Sequence, residues 1–317
     1  VGVNFALYGK EKLVTIKTHF IAAALSVTGF AVMAAEPSPS EFFYQTPAGQ
    51  SAGTIQAGYL DREYKVTNNG ASVGTAADKG LSQAGVRYEV GLTDMWSLEG
   101  ALTYSLIKRD PASSTADSAD ANGLDDFQLN LKGTSHMTGF RLRYGLSNRI
   151  GLFAASYSTT GGGANEFNNS SGRFTFTPYL GADISVGPGL LGAKVSYDLI
   201  KQDVALHGPN GINDVYSGGQ DFIVSVFYEW SIEPTLLGVA LSYLNEGNSK
   251  FDGTAQDNWI MYGANIYARF GWIDGWAIVP NVAYDWNGSK SNVDYYTVNT
   301  IDSGQEWKFN LALRTTF

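Results

Sequence analysis

The chain has no cysteine, little charge and almost no long apolar run. Without cysteine there is no disulfide, no Cys-ligated metal, no thiol nucleophile and no lipidated N-terminal cysteine. Only 16% of the residues are charged, and 30 acidic against 21 basic side chains leave a net charge of −9. That balance lacks the basic footprint by which nucleic acid is held, so nucleic acid is excluded as a partner. The longest apolar run, Phe20–Met33, spans 14 residues, against the roughly 20 of a transmembrane helix. Nothing after it approaches that length, so no helix of this chain is expected to cross a membrane.

What is abundant is glycine and aromatic residue: 37 Gly, 18 Tyr, 17 Phe and 7 Trp in 317 residues. That composition suits an all-β chain with many turns. Lys10, Lys12 and Lys17 precede the run Phe20–Met33, and the small residues Ala34 and Ala35 follow it. The arrangement predicts a secretory signal peptide over residues 1–35, a buried helix being the plainer alternative. Its removal, with those three lysines against Glu11, takes the net charge from −9 to about −11. Residues 36–50, with Phe42, Phe43 and Tyr44, are expected to form a periplasmic N-terminal segment or a plug, and residues 51–317 the folded domain.

Along residues 51–317 one parity after another is apolar, while charge falls on the opposite parity. Val86, Tyr88, Val90 and Leu92 oppose Arg87 and Glu89. Phe140, Leu142, Tyr144 and Leu146 oppose Arg141 and Arg143. Phe174, Phe176, Leu180 and Ile184 oppose Arg173 and Asp183, and Leu191, Val195 and Tyr197 oppose Lys194 and Asp198. Phe222, Val224, Val226 and Trp230 oppose Asp221 and Glu229. Ile260, Tyr262, Ile266 and Phe270 oppose Arg269, Val282, Tyr284 and Trp286 oppose Asp285, and Trp307, Phe309 and Leu311 oppose Lys308. This period of two predicts about twelve strands, each with one charge-free face.

Alternation alone also suits a soluble sandwich, in which the apolar face turns inward. Three features favour a membrane barrel: aromatics near the strand ends, alternation of short and long connections, and an aromatic closing strand. Short turns are expected at Thr93–Met95, Ser147–Arg149, Gly187–Gly189, Glu233–Thr235 and Asp274–Gly275. Long connections are expected near 67–79, 109–125, 160–172, 203–219, 245–257 and 288–303. Nine residues beyond a turn residue stands a tyrosine, five times: Met95 to Tyr104, Asn148 to Tyr157, Pro188 to Tyr197, Pro234 to Tyr243 and Gly275 to Tyr284. Nine strand residues at roughly 3.3 Å, tilted by about 40°, rise roughly 23 Å, close to the apolar band of a bilayer. Trp96, Tyr104, Tyr157, Tyr197, Trp230, Tyr243, Trp272, Tyr284 and Phe317 are therefore the expected interface girdle. Phe127, Leu129 and Leu131 are odd-numbered whereas Phe140–Leu146 are even, so a bulge, a break or an extra short hairpin is expected near Gly133–Gly139. Pro178 and Pro280 lie inside predicted strands and are expected at bulges or local strand ends.

With these residues in view, the chain resembles bacterial outer-membrane β-barrel, porin-like proteins. Its closing segment Trp307-Lys-Phe-Asn-Leu-Ala-Leu-Arg-Thr-Thr-Phe317 looks like the terminal strand that the barrel-assembly machinery recognises, with Thr315 where an aromatic is more usual. A narrower resemblance rests on Gly91-Leu-Thr-Asp-Met-Trp-Ser-Leu98 and Gly123-Leu-Asp-Asp-Phe-Gln-Leu-Asn-Leu-Lys132. These look like outer-membrane channels associated with aromatic-compound degradation, which implies passage of small, partly apolar organic molecules. The resemblance implies an antiparallel up-and-down barrel in the outer membrane of a Gram-negative bacterium, with short periplasmic turns and longer extracellular loops. Lipid, lipopolysaccharide and the barrel-assembly machinery would be its partners.

The expected pore lining is Arg87, Glu89, Arg141, Arg143, Arg173, Asp183, Lys194, Glu229, Arg269, Asp285, Lys308 and Arg314. The expected function is diffusion of a small-molecule solute through that polar lumen. A closed, salt-bridged structural barrel is the alternative, since twelve strands lie between a filled interior and an open channel. Small inward residues (Ala154, Ser156, Gly192, Ser196, Gly238, Ala240 and Ser242) are expected to leave open space. Inward charges nearly balance, so parity assigns no ion preference. A hydrolase is the least favoured reading: His136 follows Ser135, but adjacent strand residues point to opposite faces. His207 sits beside Gly208 and Pro209, and Asp125-Asp126 suits a solvated loop. The stretch Ser118–Gly123 imitates a calcium loop but begins with Ser and has Leu129 where Glu is required. Gly161–Gly163 precedes no helix and is no phosphate loop. No metal, cofactor or catalytic residue is expected.

Overall fold

The computed structural model describes residues 40–317 except 69–70, 111–118, 152–156, 160–164, 168–172, 208–212, 248, 252–253, 274 and 296–297. The expected signal segment, the first residues of segment 36–50, Ala154, Ser156 and Gly161–Gly163 lie outside the described residues.

Twelve long strands make the wall: β1 (Ser51–Asn68), β2 (Ala71–Gly91), β3 (Trp96–Asp110), β4 (Phe127–Met137), β5 (Phe140–Ile150) and β6 (Phe174–Val186). The chain continues through β7 (Gly189–Tyr197), β8 (Gln220–Ile232), β9 (Thr235–Gly247), β10 (Trp259–Ile273), β11 (Trp276–Asn287) and β12 (Val298–Thr316). Each strand pairs antiparallel with the next. The sheet closes because β12 pairs with β1, placing Arg314 opposite Thr54 and Phe309 opposite Tyr59. Ser51 and Phe317 exchange backbone hydrogen bonds of 2.8 and 2.9 Å, so the barrel begins and ends at the same rim as the short turns. Short strands, among them Ala119–Leu124, Val204–His207 and Asn213–Ser217, decorate the opposite, loop end.

Burial along these strands is inverted relative to a soluble protein. Ile55 is 66%, Ile266 65% and Leu241 59% exposed, whereas Glu89 is 3%, Asp183 1% and Glu229 1% exposed. A soluble sandwich would bury the first set. A barrel in lipid must expose it, because hydrocarbon replaces water outside and the polar parity turns into the lumen. Trp276 to Trp286, or Trp307 to Phe317, is ten residue steps along an outward apolar face, which at about 40° of tilt rise roughly 25 Å. The surface is that of a membrane-spanning barrel.

One expected turn is misplaced. Ser147–Arg149 lies within β5, and the chain reverses instead at Thr138-Gly139, with Gly139 at φ 86°. Met137 and Phe140 face each other across this hairpin and both point outward. The reversal reconciles the odd parity of Phe127–Leu131 with the even parity of Phe140–Leu146. The count stays at twelve because the hairpin replaces the expected turn. Tyr157 is consequently not the top of a crossing; it lies in a three-residue strand, Tyr157–Thr159, at the loop end.

Other irregularities sit where the sequence marked them or where parity must change. The β6–β7 ladder stops at Tyr179–Ser196, next to Pro178. At Pro280 the β10–β11 ladder skips two rows, between Tyr267–Asn281 and Phe270–Ile278, without changing register. A shift near Ser82 turns the upper half of β2 over. Lys79 thereby points outward beyond the apolar band, where it pairs with Asp61 at 3.2 Å and Glu63 at 3.7 Å. Within the stretch 67–79, expected as a long connection, residues 67–68 and 71–79 instead extend β1 and β2 well past that band.

Candidate functional site

The lumen is built from the inward parity, and its first feature is a set of rings lying over glycines. Phe227 pairs across the strands with Gly192, and Tyr267 with Gly238. A Cβ at either glycine would overlap the ring, so each ring occupies space that only glycine leaves. Tyr179 lies in the same way over Gly145. Gly192 of β7 and Gly238 of β9, expected to leave open space, instead admit large inward side chains. Phe227, Tyr267, Leu236 and Ala240 are buried together on this side of the lumen.

The segment before β1 completes that cluster from inside the barrel. Phe42 stacks on Phe227 with ring centroids 4.4 Å apart, and Phe43 meets the same ring edge-on at 5.4 Å. Phe43 also lies over Gly181. Barrel side chains satisfy the segment's backbone and anchors. Glu229 accepts from the Phe42 N–H (2.6 Å), Glu89 from the Thr46 N–H (3.0 Å), and Lys132 donates to the Tyr44 carbonyl (3.3 Å). Arg314 forms a two-pronged ion pair with Glu41 (2.8 and 2.7 Å) and lies over the Tyr44 ring. Residues 40–50 thus sit inside the short-turn end, against β2, β4, β8 and β12.

Beside this packed half runs a polar half. Glu89 stands directly opposite Glu99, and Lys132 bridges the two at 2.9 and 2.7 Å. Asp183 receives Arg141 at 2.5 Å and Arg143 at 2.8 Å. On the facing wall, side-chain amides form a chain across four strands. Gln56 donates to Gln83 (3.0 Å), Gln83 to Asn310 (2.7 Å), and Asn310 to Asn281 (3.4 Å). Gly58, between Gln83 and Asn310 in register, leaves the gap they bridge. A cavity of about 430 Å³ separates the two walls, lined by Arg87, Glu89, Glu99, Lys132, Lys194, Arg314 and the amide chain, with Tyr44 and Tyr179 contributing rings.

Towards the loop end the inward pairs continue. Arg62 pairs with Asp78 and with Glu306 (3.2 Å), and Lys308 with Glu306 and with Asp285 (2.9 Å). Asp125, expected in a solvated loop, is instead held by the hydroxyls of Thr103 (2.7 Å) and Ser105 (2.8 Å).

Of the twelve residues expected to line the lumen, eleven lie in the long strands and Arg173 stands just before β6. They do not form one ring. Glu89, Glu229 and Arg314 hold residues 40–50, Arg141, Arg143 and Asp183 are buried in one ionic cluster, and Arg173 binds the Gln202 carbonyl near the loop end (2.9 Å). Asp285 and Lys308 pair with each other, Arg269 stands opposite Leu236 in register, and Arg87 and Lys194 line the cavity. The charge pattern of the strands singles out neither Lys132, Gln56 and Gln83 nor the inward rings Phe227 and Tyr267, while Asn310 shares the inward parity of Lys308 and Arg314. The available signal was a large residue on the polar parity with glycine in the neighbouring strand.

Of the expected girdle, Tyr104, Tyr197, Trp230 and Phe317 are exposed on the outer face. Trp96 packs edge-on against Tyr144 at 5.0 Å. Tyr243 and Tyr284 belong to a continuous outer belt with Tyr262, Trp286 and Trp307, successive centroids lying 4.6–5.8 Å apart. The side chains of Tyr157 and Trp272 lie outside the described residues. Ser135 bonds the Tyr144 hydroxyl at 2.9 Å, whereas His136 is on the other parity, so the two are not paired for chemistry. His207 lies in the short strand Val204–His207, its side chain outside the described residues.

No family model matches the chain, and no curated protein sequence does. Among solved structures, an outer membrane channel from Pseudomonas putida F1 superposes with a TM-score of 0.66 at 15% identity, over 89% of this chain and all of that one. The KdgM porin matches at 8% identity and a TM-score of 0.42, over 83% of this chain and 99% of the porin. The CymD monoaromatic hydrocarbon channel matches at 7% identity and a TM-score of 0.43, over 86% of this chain and 89% of that one. The first likeness, with the closed twelve-stranded sheet, shows that this chain has the fold of bacterial outer-membrane β-barrels.

Proposed function

We propose that this barrel is a channel in the outer membrane of a Gram-negative bacterium, through which small solutes diffuse along the polar half of the lumen. The observation that carries this reading is the cavity of about 430 Å³ between the ionic wall and the amide chain, beside the segment 40–50. Its lining offers hydrogen bonds and charge in place of a solute's hydration shell. In this reading the short turns face the periplasm and the loops face outward. The outer belt meets lipid and lipopolysaccharide, the chain is exported by its N-terminal signal, and strand 307–317 is read by the barrel-assembly machinery. The rings of Tyr44 and Tyr179 beside the charges suit a solute with a partly apolar body.

A closed structural barrel is the second reading. The packing of Phe42 and Phe43 on Phe227 favours it, because these rings fill the other half of the lumen. Planar-bilayer recording of the purified full chain separates the two. Discrete conductance steps are expected; their absence across salt concentrations and voltages overturns the channel and leaves the structural barrel.

A further inference from the structure

We propose that Arg87 and Lys194 form an anion subsite in the lumen that takes a small organic carboxylate. This rests on the channel reading and deepens it. Five cations line the cavity. Three have carboxylate partners: Arg314 holds Glu41, Lys132 holds Glu89 and Glu99, and Arg143 holds Asp183. The other two do not. Arg87 makes no ion pair among the described residues, and its Nε is buried without a hydrogen-bond partner. Glu99 attracts it through space, but the Glu99 oxygens are engaged by Lys132 (2.7 Å) and Asn130 (2.8 Å). Lys194 makes no ion pair either; its ammonium lies 4.8 Å from the centre of the Tyr179 ring.

A cation in a partly dehydrated lumen without a counter-charge costs free energy that a bound anion offsets. Lys194 comes from β7 and Arg87 from β2, so an anion in the cavity meets charge from two sides of the barrel. The shape of the lining limits what accompanies that charge. Tyr179 and Tyr44 supply ring faces, and the Gln56–Gln83–Asn310–Asn281 chain supplies neutral donors and acceptors. Those surroundings fit a carboxylate with a compact, partly apolar body better than a small inorganic ion, which would leave the ring carbons and the amide chain without contact.

The test uses the purified full chain in planar bilayers under a potassium chloride gradient, with sodium benzoate as the probe. The zero-current potential is expected to show anion preference, and benzoate to reduce the chloride current saturably. Arg87→Gln and Lys194→Gln are each expected to weaken that block by about tenfold, as for loss of one hydrogen bond to a charged group. The double variant is expected to abolish it. A cation-preferring wild type, or block unchanged in the double variant, overturns the subsite while leaving the channel standing. Absence of any wild-type conductance overturns the channel instead. Calorimetric titration of benzoate into the detergent-solubilised protein then reads the subsite alone. Binding lost in the double variant supports it, and no binding, or equal binding to both proteins, overturns it.

Discussion

The ring of Phe42 lies parallel to that of Phe227, 4.4 Å away and separated from it by 185 positions of chain. One belongs to the segment before the first strand and the other to the inner face of β8, so the contact ties the segment to the wall. Truncating Phe227 to alanine is expected to cost roughly 3–5 kcal/mol. Phe42→Ala is expected to be partly redundant with it, with a coupling of roughly 0.5–1.5 kcal/mol in a double-mutant cycle read by urea unfolding in detergent. Strict additivity would show that the stack is not made in solution.

Asp183 is the single carboxylate between Arg141 and Arg143. Asp183→Asn keeps the shape and removes the charge, leaving two buried guanidinium groups facing each other. The expected loss is roughly 3–5 kcal/mol of barrel stability. Unfolding midpoints in urea provide the measurement, and a loss below roughly 1 kcal/mol would mean that water already screens the cluster.

Leu241 and Ser242 are neighbours in β9 on opposite faces. Arginine at 241, in the middle of the apolar band, is expected to cost roughly 2–4 kcal/mol and to reduce the folded fraction seen as heat-modifiable migration in gels. Arginine at 242 points into the lumen beside Asp285, which lies next to Ser242 over Gly263, and is expected to be tolerated. Equal effects at the two positions would contradict the membrane assignment of the outer face.

Gly238 sits beneath Tyr267. Gly238→Val is expected to destabilise the barrel by roughly 1–3 kcal/mol through overpacking. Adding Tyr267→Ala should recover part of that loss, since the ring is what the new side chain meets. A double variant no better than Gly238→Val alone would place the cost in the backbone instead.

The expected nine-residue step from turn to tyrosine survives in four of its five instances. Met95 to Tyr104, Pro188 to Tyr197, Pro234 to Tyr243 and Gly275 to Tyr284 each follow an observed turn. It fails at Asn148 because Ser147-Asn148-Arg149 resembles a turn in composition, yet the Ser147 hydroxyl donates to Asn130 (2.7 Å) and the Asn148 amide to the Leu129 carbonyl (3.0 Å) across the ladder. Ser147 is lumen wall there, while Asn148, on the outward parity opposite Leu129, is tied into the sheet. The true reversal at Thr138-Gly139 was visible as a change of parity, and only the pairing of Phe140 with Met137 decides between bulge and hairpin.

By itself the sequence determined what is local. A strand's period of two assigns each side chain to one face, so the lipid face, the inward charges and the strand type are legible without knowing any neighbour. Tertiary structure decided what the lumen contains, because inward side chains meet partners from distant strands and from the N-terminal segment. That Gly192 and Gly238 receive rings instead of leaving a pore depends on register. So does the contrast among the inward cations, in which Arg143 is neutralised by Asp183 while Arg87 and Lys194 are left to the cavity.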